Sequence, residues 1–395
     1  MLRRTSFPEP GSYDHRMPVI SELSPARAGI RARSREAETW ASESSTESQA
    51  PELRLRPLQV TWEMTHACGW KAAPARASRL PRDREQCSTA EAFHLIEEVA
   101  DMQVPLLALT GGDPLLRPDL LPIVEFASKR SVRTSLTLLP TPTVSAAVFT
   151  ELKNCGLMRV GFWLHGSTPG LNDSHWGMGG LHRRTVEMIG FCHEVQLPVH
   201  VNTIVSRRNV HDIETMVELL TRLDVEWWNV FFFVPGAPEQ AANVLSAEEH
   251  EQVFAKLYEA SGRVHFHIKT TEGQHYQRYI LQQRARESRA GTNHAKVARS
   301  TPKSVNDSQG FVFINYRGDV YSSRFLPVSA GNVTTDRLSD VYSDSELFVS
   351  LRDSSRLKGK CGRCPVRAVC GGSRARAYAM TGDLFASEPC CAFEP

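Results

Sequence analysis

From Leu58 to Val234 the chain alternates between short apolar runs and helix-length amphipathic stretches. Leu58-Gln59-Val60-Thr61-Trp62 reads as a first strand. Ser88-Thr89-Ala90-Glu91 has the spacing of a capping box, in which the serine hydroxyl and glutamate carboxylate cover orphan amides at a helix start. The helix it opens carries Phe93, Ile96 and Ala100 on its apolar face. Val104-Pro105-Leu106-Leu107-Ala108-Leu109 suits a strand buried on both faces. Helices over 119–130, 144–154, 182–194 and 211–222 then alternate with strands over Val132–Leu138, Met158–Leu164, Val199–Val205 and Trp227–Val234. This spacing means βα units and a parallel sheet, an α/β fold. The expected architecture is a partial (β/α)6 TIM-like barrel, with a doubly wound open sheet as the alternative.

The pattern divides the chain. Residues 1–55, rich in Arg, Ser, Glu and Pro, have little to bury and are expected to form a disordered tail. Residues 56–240 form the barrel. Residues 241–306 read as a helical linker region, with helices at Ser246–Ser261 and Thr271–Glu287 and a mobile polar segment over 288–306. Residues 307–395 read as a small cysteine-rich α+β domain that opens on a hairpin, Gly310–Asn315 and Asp319–Ser322 joined through Arg317-Gly318.

A net charge of +2 gives no footprint for nucleic acid or an anionic membrane, so neither is an expected partner. No apolar run approaches the roughly 20 residues of a membrane span. No apolar stretch follows Arg3 and Arg4 as a secretory signal requires, and the expected location is cytoplasmic.

Five of the nine cysteines fall between Cys361 and Cys391. Clustering of this kind points to metal ligation rather than a disulfide framework. Cys361-x2-Cys364 followed by Cys370 and the pair Cys390-Cys391 supplies four thiolates, because only one of two adjacent cysteines is expected to ligate. Such a set suits zinc or a [4Fe–4S] cluster equally. Cys155 and Cys192 fall inside helix–strand patterns and read as core residues.

Thr110-Gly111-Gly112-Asp113-Pro114 follows the second strand, where a turn is the bland alternative to a ligand loop. In a barrel it stands at the catalytic end. His165-Gly166 and Asn202-Thr203 occupy corresponding strand ends. His165 is a candidate acid, base or substrate contact, with a structural hydrogen bond as the alternative. Trp227-Trp228 and Phe231-Phe232-Phe233 read as barrel core.

These pieces resemble a radical S-adenosylmethionine (SAM) protein with a C-terminal SPASM/Twitch-type auxiliary Fe–S domain. The resemblance covers about residues 57–394. It is carried by Trp62-Glu63-Met64-Thr65-His66-Ala67-Cys68, Leu109–Leu115, Val201-Asn202-Thr203, Phe232-Phe233-Val234-Pro235, Ile268–Glu272, Gly331-Asn332-Val333 and Cys370–Tyr378. The nearest likeness is to radical SAM enzymes of haem synthesis and peptide maturation. It implies SAM at the barrel mouth, contacted by Gly111, Gly112, Asp113, Pro114 and Asn202. It also implies an auxiliary [4Fe–4S] cluster on Cys361, Cys364, Cys370 and Cys391. The implied reaction is reductive cleavage of SAM and hydrogen abstraction from a peptide or tetrapyrrole-like substrate, fed by an electron donor such as a flavodoxin or ferredoxin.

One departure stands out. In the family's Cys-x3-Cys-x2-Cys loop, Cys68 fills the first slot, but Ala72 and Ala75 fill the second and third. Alanine has no lone pair to offer iron, so the radical-forming step is expected to be impaired. Three explanations are open: the barrel is kept for binding or scaffolding with a structural metal in the tail, two ligands have been replaced in a working site, or Cys87 or His66 rebuilds it.

Overall fold

The parallel strands lie side by side in the order in which the chain makes them. They are β1 (Gln59–Glu63), β2 (Leu106–Thr110), β3 (Thr134–Leu138), β4 (Arg159–Trp163), β5 (Val199–Val205), β6 (Trp227–Phe232) and β7 (His267–Thr271). The computed structural model describes residues 56–68, 86–141, 144–290 and 309–395. The expected tail over 1–55 lies outside them, as does the segment 291–308. A doubly wound sheet reverses its order at a switch point. From β1 to β7 this order never reverses.

The sheet also curls. Lys269 Nζ on β7 donates to Gln59 Oε1 on β1 at 3.0 Å. In a flat sheet those strands would stand about 29 Å apart, six spacings of ~4.8 Å. Two side chains cannot bridge that gap, so the strands bend round into a partial barrel.

Burial follows from the bend. On β1, Val60 and Trp62 are fully buried, while Gln59, Thr61 and Glu63 keep partial exposure. Alternate residues point to opposite faces. Pairing of Thr61 with Ala108, Ser135 with Arg159, Gly161 with His200, and Asn229 with Lys269 therefore carries the inward face from strand to strand.

The helices begin where the sequence marks them. α1 (Thr89–Asp101) has the full capping box between Ser88 and Glu91. α2 (Leu120–Lys129), α3 (Ala146–Asn154), α5 (Leu181–Glu194) and α6 (Ile213–Arg222) fall within a few residues of expectation. α7 (Ala247–Ser261) carries a second capping box, Ser246 with Glu249.

Three elements correct the sequence reading. α4 (Pro169–Trp176) was not expected; its polar surface hides the helical period, but Thr168 caps it and left-handed Gly177 ends it. The strand β7 lies inside the segment read as helical linker. Only Ile268 is buried along it, so no alternation signals a strand. Glu272, at φ 54°, then turns the chain, and α8 (His275–Arg289) starts at His275 rather than Thr271.

The barrel sheet continues into the tail. β8 (Phe311–Ile314) pairs parallel to β1 on its free side, and β9 (Asp319–Tyr321) forms the expected hairpin with β8. β10 (Ser329–Asn332), short and only partly buried, pairs with β9. α9 (Leu338–Asp344), α10 (Glu346–Arg352), α11 (Gly359–Arg363) and α12 (Arg374–Thr381) follow. By contact, the described residues belong to one unit. Among the described residues no helix is long and apolar enough to cross a membrane.

Candidate active site

Beyond β1 the chain enters the loop that carries Cys68, and the turn after β2 holds it. The Met64 amide donates to the Thr110 carbonyl at 2.8 Å, the Gly112 amide to the Thr65 carbonyl at 2.9 Å, and the Asp113 amide to the Ala67 carbonyl at 2.7 Å. A Cβ on Gly111 would lie 2.7 Å from the Thr65 carbonyl oxygen, and one on Gly112 only 2.1 Å from that of Ala67. Bare glycine is what permits the approach. The Gly-Gly-Asp turn is thus a clamp on residues 65–67, whatever else it binds. Asp113 is 1% exposed and accepts from the Leu115 amide at 3.1 Å. Burial pushes its carboxyl pKa up, and the bonds from Leu115 and Thr141 oppose that rise.

Arg117, to which the sequence reading gave no role, braces the same loop. Its guanidinium donates to the Met64 carbonyl at 2.7 Å and the Cys87 carbonyl at 2.9 Å, and pairs with Asp119 at 2.8 Å. It also lies 5.3 Å over the Trp62 ring. Burial acts to raise the Asp119 pKa, but Arg117 and Thr89 together hold it below the ordinary value.

Cys68 is half-buried at the end of the clamp. Ala72 and Ala75 lie outside the described residues. Cys87 is a core residue: its thiol pKa is pushed up to about 11, by burial and then by Glu91. His66 stacks on Tyr316 with ring centroids 5.0 Å apart. Iron–sulfur clusters are held by cysteine thiolates. Of the three slots of this loop, the first, Cys68, supplies one.

His165 stands at the end of β4, 2% exposed, with its ring 3.9 Å from His175, 5.1 Å from Trp176 and 5.6 Å from Trp163. Its Nδ1 accepts from the Ile204 amide at 3.1 Å, which leaves the proton of the neutral ring on Nε2. Burial, helped by His175, holds its pKa well below the usual value. Burial and then Arg208 lower His175 to about 4. Both imidazoles are therefore neutral at pH 7. His175 and Trp176 lie on α4, the unforeseen helix, so their approach to His165 had no sequence signal. Asn202, on the inner face of β5, accepts from Asn229 Nδ2 at 2.8 Å.

In the tail, the buried Cys370 thiol is pushed up to about 12, first by burial and also by its neighbours Cys391 and Cys361. The Glu388 amide donates to Cys361 Sγ at 3.2 Å. Burial pushes the Cys390 thiol up to about 11, and Arg376, which hydrogen-bonds with it, opposes that rise. Glu388 organises the group. Its carboxylate accepts from Arg376 at 2.8 Å, the Ser373 amide at 2.8 Å and the Cys390 amide at 3.0 Å. Burial would raise its pKa, yet Arg376 holds it far below the ordinary value. The Ser373 hydroxyl donates to Glu272, which ties the tail to the turn after β7. Among the described residues no three His, Cys, Asp or Glu side chains form a closed metal grip. The chemistry of the donor set nonetheless suits a soft metal: Cys370 lies within electrostatic reach of the Cys391 and Cys361 thiols, and Cys364 lies three residues from Cys361. None of the nine cysteines is in a disulfide.

Fold and site define a partial α/β barrel with a clamped, thiol-bearing rim loop and a thiol-rich tail. The chain belongs to the radical SAM superfamily. Residues 67–220 match that superfamily directly. The AdoMet-dependent heme synthase of Methanosarcina barkeri is 32% identical over 340 residues, covering 86% of this chain and 97% of the relative. A PqqA peptide cyclase from Bradyrhizobium diazoefficiens is 25% identical over 354 residues, covering 86% and 87%. Among solved structures, Streptococcus suis SuiB bound to S-adenosylmethionine shares the fold, with a TM-score of 0.65 at 13% identity over 92% of this chain and 82% of that one.

Proposed function

We propose that the barrel mouth binds SAM and a tetrapyrrole-like or peptide substrate, and that this chain has the radical SAM fold with its radical-forming step impaired. The likeness to a heme synthase over 97% of that protein's length carries the reading, and the relative named a peptide cyclase supports the peptide alternative.

SAM would lie against Gly111, Gly112, Asp113, Pro114 and Asn202. Asn229 occupies the Asn202 oxygen, which leaves the amide nitrogen to donate. His165 can donate from Nε2, but its low pKa denies it the role of a charged acid at pH 7. In the tail, Cys361, Cys364, Cys370 and Cys391 would hold an auxiliary [4Fe–4S] cluster or a zinc ion. Bound clusters supply one-electron reduction of SAM in this chemistry, drawn from a flavodoxin- or ferredoxin-type donor.

The test is restoration. The Ala72→Cys/Ala75→Cys double variant, reduced anaerobically with SAM, is expected to form 5′-deoxyadenosine, and the unaltered chain to form none. A restored protein with full cluster content and no 5′-deoxyadenosine overturns the reading. The missing ligand atoms also favour a binding or scaffold role, for which zinc without iron in the tail would be the mark.

A further inference from the structure

The inward face of the barrel carries a group of cations that the reading above does not use. Lys269 on β7 reaches across the lumen to Gln59 on β1 at 3.0 Å. Arg159, the first residue of β4, lies 5.2 Å over the Trp227 ring, and Trp227 stacks on His267 at 4.4 Å. Between them runs His200 of β5. Its imidazole packs against the neighbouring strand, where a Cβ on Gly161 would stand 2.1 Å from Nε2. His200 is held well below its usual pKa by burial, then by Arg159 and Lys269 in turn, which places it in reach of both charges.

Charge balance at this floor is one-sided. Glu226, exposed at the start of β6, is the acidic neighbour of Arg159. Lys269 has no carboxylate against it among the described residues. Its pKa falls to about 8, through burial first and then Arg159. Two buried nitrogens, Arg159 Nε and His200 Nδ1, have no hydrogen-bond partner. Buried polar groups are paired in the great majority of cases. The space above is reachable: Thr61, Ala108, Trp163, Asn229 and Phe231 on the inner face keep partial exposure, whereas outward-facing Val60, Trp62 and Val201 are fully buried.

We infer that the lumen floor formed by Lys269, Arg159 and His200 is a carboxylate site, and that a carboxylate arm of the substrate occupies it. A carboxylate is an acceptor with several lone pairs, which matches the Lys269 ammonium and the unpartnered Arg159 Nε and His200 Nδ1 on the same inward face. An arm reaching this floor would leave the body of the ligand among Trp163, Phe231 and His165 nearer the rim. The inference rests on the mouth being the substrate site.

The test reads binding alone, without SAM, iron or turnover, so its failure is distinct from failure of the radical SAM reading. The full-length protein is titrated with coproporphyrin III and with its tetraamide, followed by tryptophan quenching. A short glutamate-containing peptide and its glutamine counterpart form the second arm. The free acid of at least one pair is expected to bind more tightly than its amide. Lys269→Met is expected to weaken that acid about thirtyfold while leaving the amide unchanged, and Lys269→Arg to stay within about threefold of the unaltered protein. Acid-dependent binding by the porphyrin assigns the arm to a tetrapyrrole, and by the peptide to a peptide. Amides that bind as well as acids, or Lys269→Met without effect or with equal loss of both, overturn the inference.

Discussion

Arg117 donates to the Met64 carbonyl at 2.7 Å from 53 residues further along the chain. The same guanidinium takes the Cys87 carbonyl, so one side chain holds both ends of the excursion that carries Cys68. Replacement by methionine strands two buried carbonyls and the Asp119 carboxylate. Arg117→Met is expected to cost about 3 kcal/mol or more. Arg117→Lys is expected to recover less than half, because an ammonium cannot reproduce the fork. Urea midpoints of the three proteins check this, and a loss under about 0.5 kcal/mol would contradict it.

Gly112 and Gly170 make a paired comparison. A methyl at Gly112 meets the Ala67 carbonyl, whereas one at Gly170, in α4, meets nothing within 4 Å. Gly112→Ala is expected to destabilise by about 2 kcal/mol and to weaken SAM binding in equilibrium dialysis. Gly170→Ala is expected to stabilise by about 0.5 kcal/mol. Equal effects at the two positions would show that the clamp is not tight.

Much of this was legible in the sequence, for identifiable reasons. β1 to β6 could be read because one face of each packs against helices, leaving continuous or alternating apolar runs. β7 could not, because it buries only Ile268 and lines a polar lumen. The same polarity hid the cation floor: Arg159 and Lys269 look like surface residues until the sheet curls them inward. α4 escaped notice because its polar faces carry no period, and His175 and Trp176 went with it. Gly111, Gly112, Cys68 and the tail thiols were visible as motifs. Arg117, Arg376 and Glu388 were not, since a brace is defined by carbonyls and amides that come near only after folding.

Acid is expected to loosen the packing behind the tail. His250 and His275 are buried with rings 4.9 Å apart. Burial lowers His250 to about 4 and His275 well below its usual value. Both are neutral in the folded state at pH values where the unfolded chain binds a proton. Stability is therefore complete above about pH 6.5 and falls as pH drops toward 4, by about 1.4 kcal/mol per pH unit for each group. Urea unfolding of metal-free protein between pH 7.5 and 5 checks the slope. His275→Phe should flatten it by one group's share, and an unchanged slope would contradict the assignment.

Adjacent cysteines in the tail are expected to behave differently. Cys391 and Cys361 both act electrostatically on Cys370, whereas Cys390 hydrogen-bonds with Arg376. Cys391→Ser should lower bound metal substantially, and Cys390→Ser should leave the stoichiometry unchanged. The reverse pattern, measured by metal analysis, would reassign the ligand. Glu388→Gln is expected to lower metal retention too, since it breaks the buried pair with Arg376 that orders both segments.

The central claim is that this radical SAM chain keeps the loop frame and the tail thiols but lacks two ligand atoms at the rim. Iron and acid-labile sulfide counted on anaerobically purified protein test it most directly. The unaltered chain is expected to hold about four irons, all in the tail, and Ala72→Cys/Ala75→Cys about eight. Eight irons in the unaltered chain would contradict the account.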